Sequence, residues 1–129
     1  MSERTVVSSP YAPPAIGPYS QGIKAGSFIF LSGQIPLVGT TGKIVQGMIK
    51  EQTEQVIFNI KALLASENLD LSDVVKATVY LASMTEFSAM NEVYTRYFGD
   101  TPPARSTVEV SRLPRDVRVE IEVIAQVRS

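Results

Sequence analysis

Hydrophobic residues along this chain recur at two spacings, one typical of strands and one typical of helices. The segment SQGIKAGSFIFLSGQIPL predicts two strands, residues 19–24 and 28–34, because Gly and Ser between them supply a turn. The run FIFL is apolar on both faces. We therefore expect the core to cover one face of this strand and another subunit to cover the other.

The chain before these strands is predicted to be an extended, irregular lead-in. Residues 1–18 contain four of the eight prolines, after the short β-prone run RTVVSS. Apolar Tyr11, Ile16 and Tyr19 recur along it, so we expect it to pack against the rest of the domain.

Two segments have the period of amphipathic helices. The first, about residues 49–67, is followed by Asn68 as a C-terminal stop, and the second opens at Thr85 and Glu86. Gly99 stands where a C′ residue is expected after the second helix. The apolar stripes are Val56, Ile57, Ile60, Leu63 and Leu64 in the first helix and Phe87, Met90, Val93, Tyr94, Tyr97 and Phe98 in the second, with Gln52 and Asn59 assigned to the polar side of the first.

Three further strands are indicated by alternation: one with Val75, Ala77, Val79 and Leu81 on its apolar face, then residues 105–110 and about 117–127. The element order is β-β-α-β-α-β-β. This order predicts an α+β fold in a single domain, residues 1–129, with a mixed sheet and two helices on one face.

Arg105 opens the strand in DTPPARSTVEV, and its alternation places it with Thr107 on the face away from the helices. If this strand and the last one form a hairpin with Val110 opposite Arg115, Arg105 lies directly opposite Glu120. One interpretation is a surface pair worth about 0.2–1 kcal/mol. The other is a guanidinium fork that binds the carboxylate of a ligand.

The amino-acid composition excludes several kinds of catalytic group and disfavours some binding partners. The 129 residues contain no cysteine and no histidine, which excludes disulfides, thiolate nucleophiles and histidine bases. The net charge of −1 gives no general attraction to nucleic acid. No leader pattern or long apolar run is visible, so we expect a cytoplasmic protein that binds no membrane. Because the usual Cys and His ligands are missing, we expect no metal, and we expect chemistry by carboxylates, hydroxyls and water to need no cofactor.

Seven blocks together resemble one known family, although each alone is only a turn or strand sequence. The chain resembles the reactive intermediate deaminase (RidA/YjgF) family over nearly its full length. The matching blocks are AIGPYSQGI, FIFLSGQIP, EQVIFNIKALL, VVKATVYLA, MNEVYTRYF, PARSTVEV and VEIEVIA.

The resemblance implies a chorismate-mutase-like fold assembled as a homotrimer, with clefts between adjacent subunits. It also implies hydrolysis of reactive enamines and imines, such as 2-aminoacrylate and 2-aminocrotonate, to 2-keto acids and ammonia. Arg105 would then bind the substrate carboxylate and Glu120 would activate water. The implied substrate contacts are Tyr19, Ser32, Gly33, Asn91 and Thr107, the last at a position where many members have cysteine.

Structural roles stay open for several of these residues: Tyr19 as an apolar filler, Ser32 and Gly33 as a turn, and Asn91 as a helix-surface residue. Two other functions also stay open. One is a trimeric module that binds or senses 2-keto acids and similar small carboxylates. The other is an RNA-cleaving inhibitor of translation, which the acidic balance, the missing histidine and the lack of a Lys/Arg run disfavour.

Overall fold

Six strands form one mixed sheet, and two α-helices cover one of its faces, which confirms the predicted fold class. The computed structural model describes residues 3–128, so Met1, Ser2 and Ser129 at the limits of the predicted domain lie outside it. The strands are β1 Arg4–Val7, β2 Gly22–Ala25, β3 Phe28–Leu31, β4 Val74–Leu81, β5 Ala104–Glu109 and β6 Val119–Gln126, and the helices are α1 Ile49–Ala65 and α2 Phe87–Phe98.

The spatial order of the strands is β1-β2-β3-β6-β4-β5. Only β4 and β5 are parallel, since α2 forms the crossover between them, and the other neighbours are antiparallel. The predicted hairpin between the last two strands is therefore wrong, because β4 lies between β5 and β6.

The N-terminal part of the sheet has one strand more than the sequence indicated. β1, which was predicted as part of the lead-in, pairs antiparallel with β2. Both predicted strands around the Gly-Ser turn are present but shorter, because regular pairing starts at Gly22 and stops at Leu31. Beyond it, Gln34 forms an isolated bridge with Ile121.

The lead-in packs through small and polar residues. Tyr11, Ile16 and Tyr19 are all more than half exposed, so their predicted packing is wrong. The buried amide of Gln21 fastens the segment instead: its Oε1 accepts from the Ser9 amide at 3.0 Å and its Nε2 donates to the Pro13 carbonyl at 2.8 Å. One glutamine thus replaces an apolar anchor.

The apolar stripe of α1 is buried as predicted, and Asn68, with a φ of 60°, follows the helix as its stop. Asn59 and Gln52 are also buried, contrary to their assignment to the polar side. Asn59 donates to two loop carbonyls, those of Ile35 and Leu37. Gln52 accepts from the Arg118 amide at 2.8 Å. Each buried amide side chain therefore forms hydrogen bonds with backbone that lies outside the six strands.

A capped turn leads into α2, which has no side-chain cap of its own and directs its apolar stripe toward the core. Ser83 accepts from the Thr85 amide at 3.3 Å, and a 3₁₀ turn precedes the helix. Gly99 is the C-cap residue of α2, with a φ of −64°, so it stands one position before the predicted C′ position. Within residues 3–128, no helix is long and apolar enough to cross a membrane.

The alternation of β6 is confirmed, with Val119, Ile121, Val123 and Ala125 buried. In β4, Val75 is exposed rather than buried, because a register shift between Val74 and Lys76 turns it outward.

Candidate functional site

Arg105 points toward the helices, opposite to its predicted direction. In the parallel pairing of β4 and β5 it lies beside Ala77, which is fully buried on the helix side. Paired residues share a face, so the Arg105 side chain extends over α2. Its Nη1 donates to the Asn91 Oδ1 at 2.7 Å.

Two aromatic rings of α2 flank the same guanidinium group. The Arg105 Cζ lies 4.6 Å from the centre of the Tyr94 ring and 5.5 Å from that of Phe87, within cation–π range. The sequence assigned both rings only to the core. Their spacing with Asn91, at i, i+4 and i+7, could have indicated one helix face directed at a common group.

A cleft of about 380 Å³ adjoins Arg105. Asn91, Tyr94 and the C-terminal turn of α2 line one side, and Pro102 and Pro103 line another. Thr107 follows on the Arg105 face of β5, beside buried Val79, and is itself half-buried. Burial raises the pKa of the Tyr94 hydroxyl, against the opposing effect of the Arg105 charge, so this group stays protonated at neutral pH.

Arg105 differs from four other arginines in having no acidic partner within the described part of the chain. Arg96, Arg112, Arg118 and Arg128 each form a salt bridge with Asp or Glu. Among residues 3–128, no carboxylate pairs with Arg105, and Asn91 is the one hydrogen-bond partner of its side chain. A half-buried guanidinium with unused donors is a ready receptor for an anion.

Glu120 lies on the opposite face of the sheet. Its neighbours along β6, Val119 and Ile121, are buried on the helix side, so Glu120 points away from the helices. Across the ladder it pairs with Tyr80 of β4. The predicted cross-strand pair of Arg105 and Glu120 is therefore wrong for a single chain.

Gly33 lies directly under the Glu120 carboxyl group. A Cβ at position 33 would approach the Glu120 Cδ to 3.0 Å and its Oε2 more closely still. Burial raises the pKa of the Glu120 carboxyl group above its ordinary value, and the negative charge of Glu122 adds to the effect. Tyr80 donates to the Glu122 Oε1 at 2.8 Å and holds that second carboxylate in place.

Ser32 and Tyr19 border the Gly33 side of the molecule. The Ser32 hydroxyl donates to the Ser20 carbonyl at 2.6 Å, which joins the end of β3 to the lead-in. Tyr19 is exposed, and its ring lines one groove with Ser32 and another with Gly33.

The predicted site residues thus form two groups. The arginine group contains Arg105, Asn91 and Thr107 on the helix side of the edge strand. The glutamate group contains Glu120, Gly33, Ser32 and Tyr19 around the end of β3 and the opposite sheet face. Within residues 3–128, no three acidic side chains converge to hold a metal ion. The two groups offer an anion receptor and a carboxyl group with a raised pKa.

The chain as a whole is similar in sequence to several known proteins. The model of the family described as Endoribonuclease L-PSP matches residues 10–127. A RutC family protein of Pyrococcus horikoshii is 57% identical over 95% of this chain and 97% of its own. Reactive Intermediate Deaminase A, chloroplastic, of Arabidopsis thaliana is 46% identical over 95% of this chain and 66% of its own. A 2-iminobutanoate/2-iminopropanoate deaminase of Dermatophagoides farinae is 41% identical over 96% and 97%.

Solved structures agree in fold. Yeast Mmf1 superimposes with a TM-score of 0.94 at 46% identity, covering 98% of this chain and 100% of its own. Escherichia coli TdcF with bound serine superimposes with a TM-score of 0.90 at 41% identity, covering 97% and 99%.

Proposed function

The chain belongs to the Endoribonuclease L-PSP family, which includes reactive intermediate deaminases, and from that premise we propose that it hydrolyses reactive 2-imino and 2-enamino acids. The products are 2-keto acids and ammonia. 2-Aminoacrylate and 2-aminocrotonate are the expected type of substrate, and the reaction needs no cofactor.

The observation that carries this proposal is the unpaired, half-buried Arg105. A guanidinium group removed from water needs a counter-charge or a set of acceptors, and Asn91 supplies one acceptor only. A planar substrate carboxylate fits the remaining donors through two parallel hydrogen bonds. In the part of the chain that the structure describes, no Asp or Glu side chain occupies this position.

Arg105 and Glu120 face opposite sides of one sheet, so a site that uses both takes them from two subunits. We propose a homotrimer in which the glutamate group of one subunit meets the arginine group of the next. An apolar row crosses the sheet on the Glu120 side and supports this assembly, because such a row is suited to burial between subunits. It runs through the paired residues Val6, Ile23, Phe30 and Ile124.

The proposed reaction begins when the enamine isomerises to its imine and the substrate carboxylate binds Arg105. Water adds through its oxygen to the carbon of the C=N bond, and Glu120 accepts the proton that the water releases. Glu120 then returns that proton to the imine nitrogen, which gives a neutral carbinolamine. In a second transfer, Glu120 accepts the proton of the carbinolamine hydroxyl group and donates it to the amino nitrogen. Ammonia leaves as the C–N bond breaks and the C=O bond of the keto acid forms. Tyr19, Ser32 and Gly33 shape the substrate pocket, together with Thr107 of the arginine group.

The demands on catalysis are modest. General acid–base assistance contributes roughly 10²–10⁴-fold, and positioning adds to it. Burial raises the pKa of the Glu120 carboxyl group, which makes the ionised group a stronger base toward the attacking water.

A coupled assay tests this function. A dehydratase generates the imine from serine or threonine, and the release of 2-keto acid is followed with wild type, Arg105→Ala and Glu120→Ala. We expect wild type to accelerate release and both variants to return it to the uncatalysed rate. Full activity of Arg105→Ala would refute the assignment. Arg105→Lys keeps the charge without the fork, and a large loss there supports two-point binding.

A second candidate is a binding module for small carboxylates, and the serine bound to the TdcF structure favours it. This function would use the same arginine group but no general base. Calorimetry with 2-oxobutanoate separates the two: in a pure binding module, Glu120→Ala retains affinity and wild type shows no turnover.

RNA cleavage, which the family description names, is not our proposal for this chain. The net charge is −1 and the sequence contains no histidine to act as a general acid or base. A filter-binding assay with single-stranded RNA at low salt, together with a cleavage assay, tests this point.

A further inference from the structure

We propose that Phe87, Asn91 and Tyr94 are positioning residues that hold the Arg105 guanidinium against α2, so that its Nε–Nη2 edge faces a carboxylate. The inference rests on the proposed role of Arg105. It reassigns Asn91 from a substrate contact to a residue that acts through the arginine, and it adds two aromatic residues that the sequence assigned only to the core.

Three contacts define the orientation of the guanidinium group. The Asn91 Oδ1 accepts from Nη1 at 2.7 Å, which fixes rotation of the group in its own plane. The Tyr94 and Phe87 rings lie 4.6 Å and 5.5 Å from Cζ, and they limit movement out of that plane. The bond to Asn91 uses Nη1, which leaves the Nε–Nη2 edge for a bidentate contact.

α2 and β5 hold these residues in place, so the contacts form with little loss of conformational freedom. Phe87, Asn91 and Tyr94 succeed one another along one face of α2, and Tyr94 is held by its stacking on Phe98 at 4.5 Å. β5 presents Arg105 over this face because α2 leads directly into it in a parallel crossover. A long arginine side chain that is oriented before binding loses less entropy when a ligand arrives.

The ring of Tyr94, rather than its hydroxyl, performs this role. The hydroxyl is enclosed and has no hydrogen-bond partner among residues 3–128. Its removal therefore leaves no buried group without a partner, whereas removal of the ring deletes a cation–π contact.

The binding experiment uses 2-oxobutanoate as the probe and calorimetry on the full chain. Tyr94→Leu and Phe87→Leu should each weaken binding by roughly threefold to thirtyfold, the range expected for a cation–π contact. Asn91→Ala should weaken it by roughly tenfold, because a hydrogen bond to a charged group is lost. Tyr94→Phe retains the ring and should bind 2-oxobutanoate with the wild-type affinity. Tyr97→Leu is the matched control, since Tyr97 bonds Glu54 on α1 and does not contact Arg105.

Nuclear magnetic resonance tests the positioning without ligand or turnover. The Nε–H signal of Arg105, assigned by its absence from Arg105→Lys, should be shifted upfield by the two rings. It should return toward the value of a free arginine in Tyr94→Leu and in Phe87→Leu. Tyr94 is buried, so Phe87→Leu and Asn91→Ala decide the matter if Tyr94→Leu does not fold.

Several results would overturn the inference: an unchanged Nε–H signal in Phe87→Leu, equal affinities in all variants, or a loss in Tyr94→Phe as large as in Tyr94→Leu. Failure of the proposed function gives a different pattern. In that case wild type does not accelerate imine hydrolysis, while the Nε–H shifts still follow the presence of the rings.

Discussion

Arg105 and Glu120 face opposite sides of the same sheet, with strand β4 between their strands. Arg105 lies beside Ala77 and Glu120 beside Tyr80, and these two residues of β4 point in opposite directions because they are three positions apart. The rigid sheet separates the Arg105 guanidinium group from the Glu120 carboxyl group, so movement of a loop cannot bring them together in one chain.

Because Arg105 and Glu120 cannot meet within one chain, we predict that two inactive variants complement each other in a mixed trimer. Arg105→Ala and Glu120→Ala should each be inactive, but refolding them together at equal concentration should restore about a quarter of wild-type activity, since mixed trimers recreate some intact sites. The coupled assay for imine hydrolysis measures the restored activity. Mixing each variant with the double variant is the control, and it should give no activity. A mixture of the two single variants that stays inactive would contradict a site shared between subunits.

Gly33→Ala should displace the Glu120 carboxyl group, because the added Cβ falls on the space that this group occupies. The obstructing atoms belong to the end of a flexible side chain, so the melting temperature should change little. Activity should fall by roughly 100-fold or more, toward that of Glu120→Ala. Gly26→Ala is the control: its Cβ meets open space, and a φ of 60° makes that change costly for stability rather than activity. A fully active Gly33→Ala would show that Glu120 can work from another position.

The pH dependence of the rate should follow the ionisation of the Glu120 carboxyl group. Its pKa is raised by burial and by Glu122, so the acid limb of the pH–rate profile should lie above the ordinary value of 4.5. Glu122→Gln removes the neighbouring charge and should move this limb to lower pH, whereas Glu67→Gln, beside Lys24, should not.

Stability should respond to the same carboxyl group with a definite sign. The raised pKa means that the folded chain binds this proton more tightly than the unfolded chain, so the contribution to stability is lost as pH rises through the folded pKa. Glu120→Gln should therefore raise the midpoint of urea unfolding at pH 7, and this gain should disappear below the ordinary glutamate value. A gain that persists at low pH would contradict a proton-linked origin.

Phe30→Glu should dissociate the proposed trimer. The side chain lies in the apolar row between Ile23 and Ile124 and is 45% exposed in the single chain. A buried glutamate at a subunit contact is strongly unfavourable. Sedimentation analysis should find the mass of one chain, with activity lost. Phe58→Glu, on the helix side and 54% exposed, should keep the wild-type mass.

Asn59→Ala should destabilise the chain although Asn59 lies far from both groups. Its amide is fully buried and donates to the carbonyls of Ile35 and Leu37. The Ile35 carbonyl keeps the Leu37 amide as a donor, but the Leu37 carbonyl loses its bond to Asn59, and this loss should lower the free energy of unfolding by about 1–3 kcal/mol. Urea titration measures this loss. Gln55→Ala, which removes only a bond to the Asn59 side chain, should cost less.

The sequence by itself determined both helices, five of the six strands and most of the core. The period of α1, the stripe of α2 and the alternation of β6 each follow from local spacing, because a helix or strand must direct its apolar residues toward one side. Arg105, Glu120 and Gly33 could be named as site residues because the resemblance rests on short blocks that contain them.

Only the tertiary structure decided which residues meet. Alternation shows that Arg105 and Thr107 share a face, but not which side of the sheet that face is on, and the exposed edge strand β5 carries too few apolar residues to indicate it. The order of β6, β4 and β5 is likewise a long-range choice: α2 makes β5 a parallel neighbour of β4, which leaves β6 to pair on the other side of β4. This strand order places Arg105 against Asn91 and Tyr94, while Glu120 points to the opposite face of the sheet.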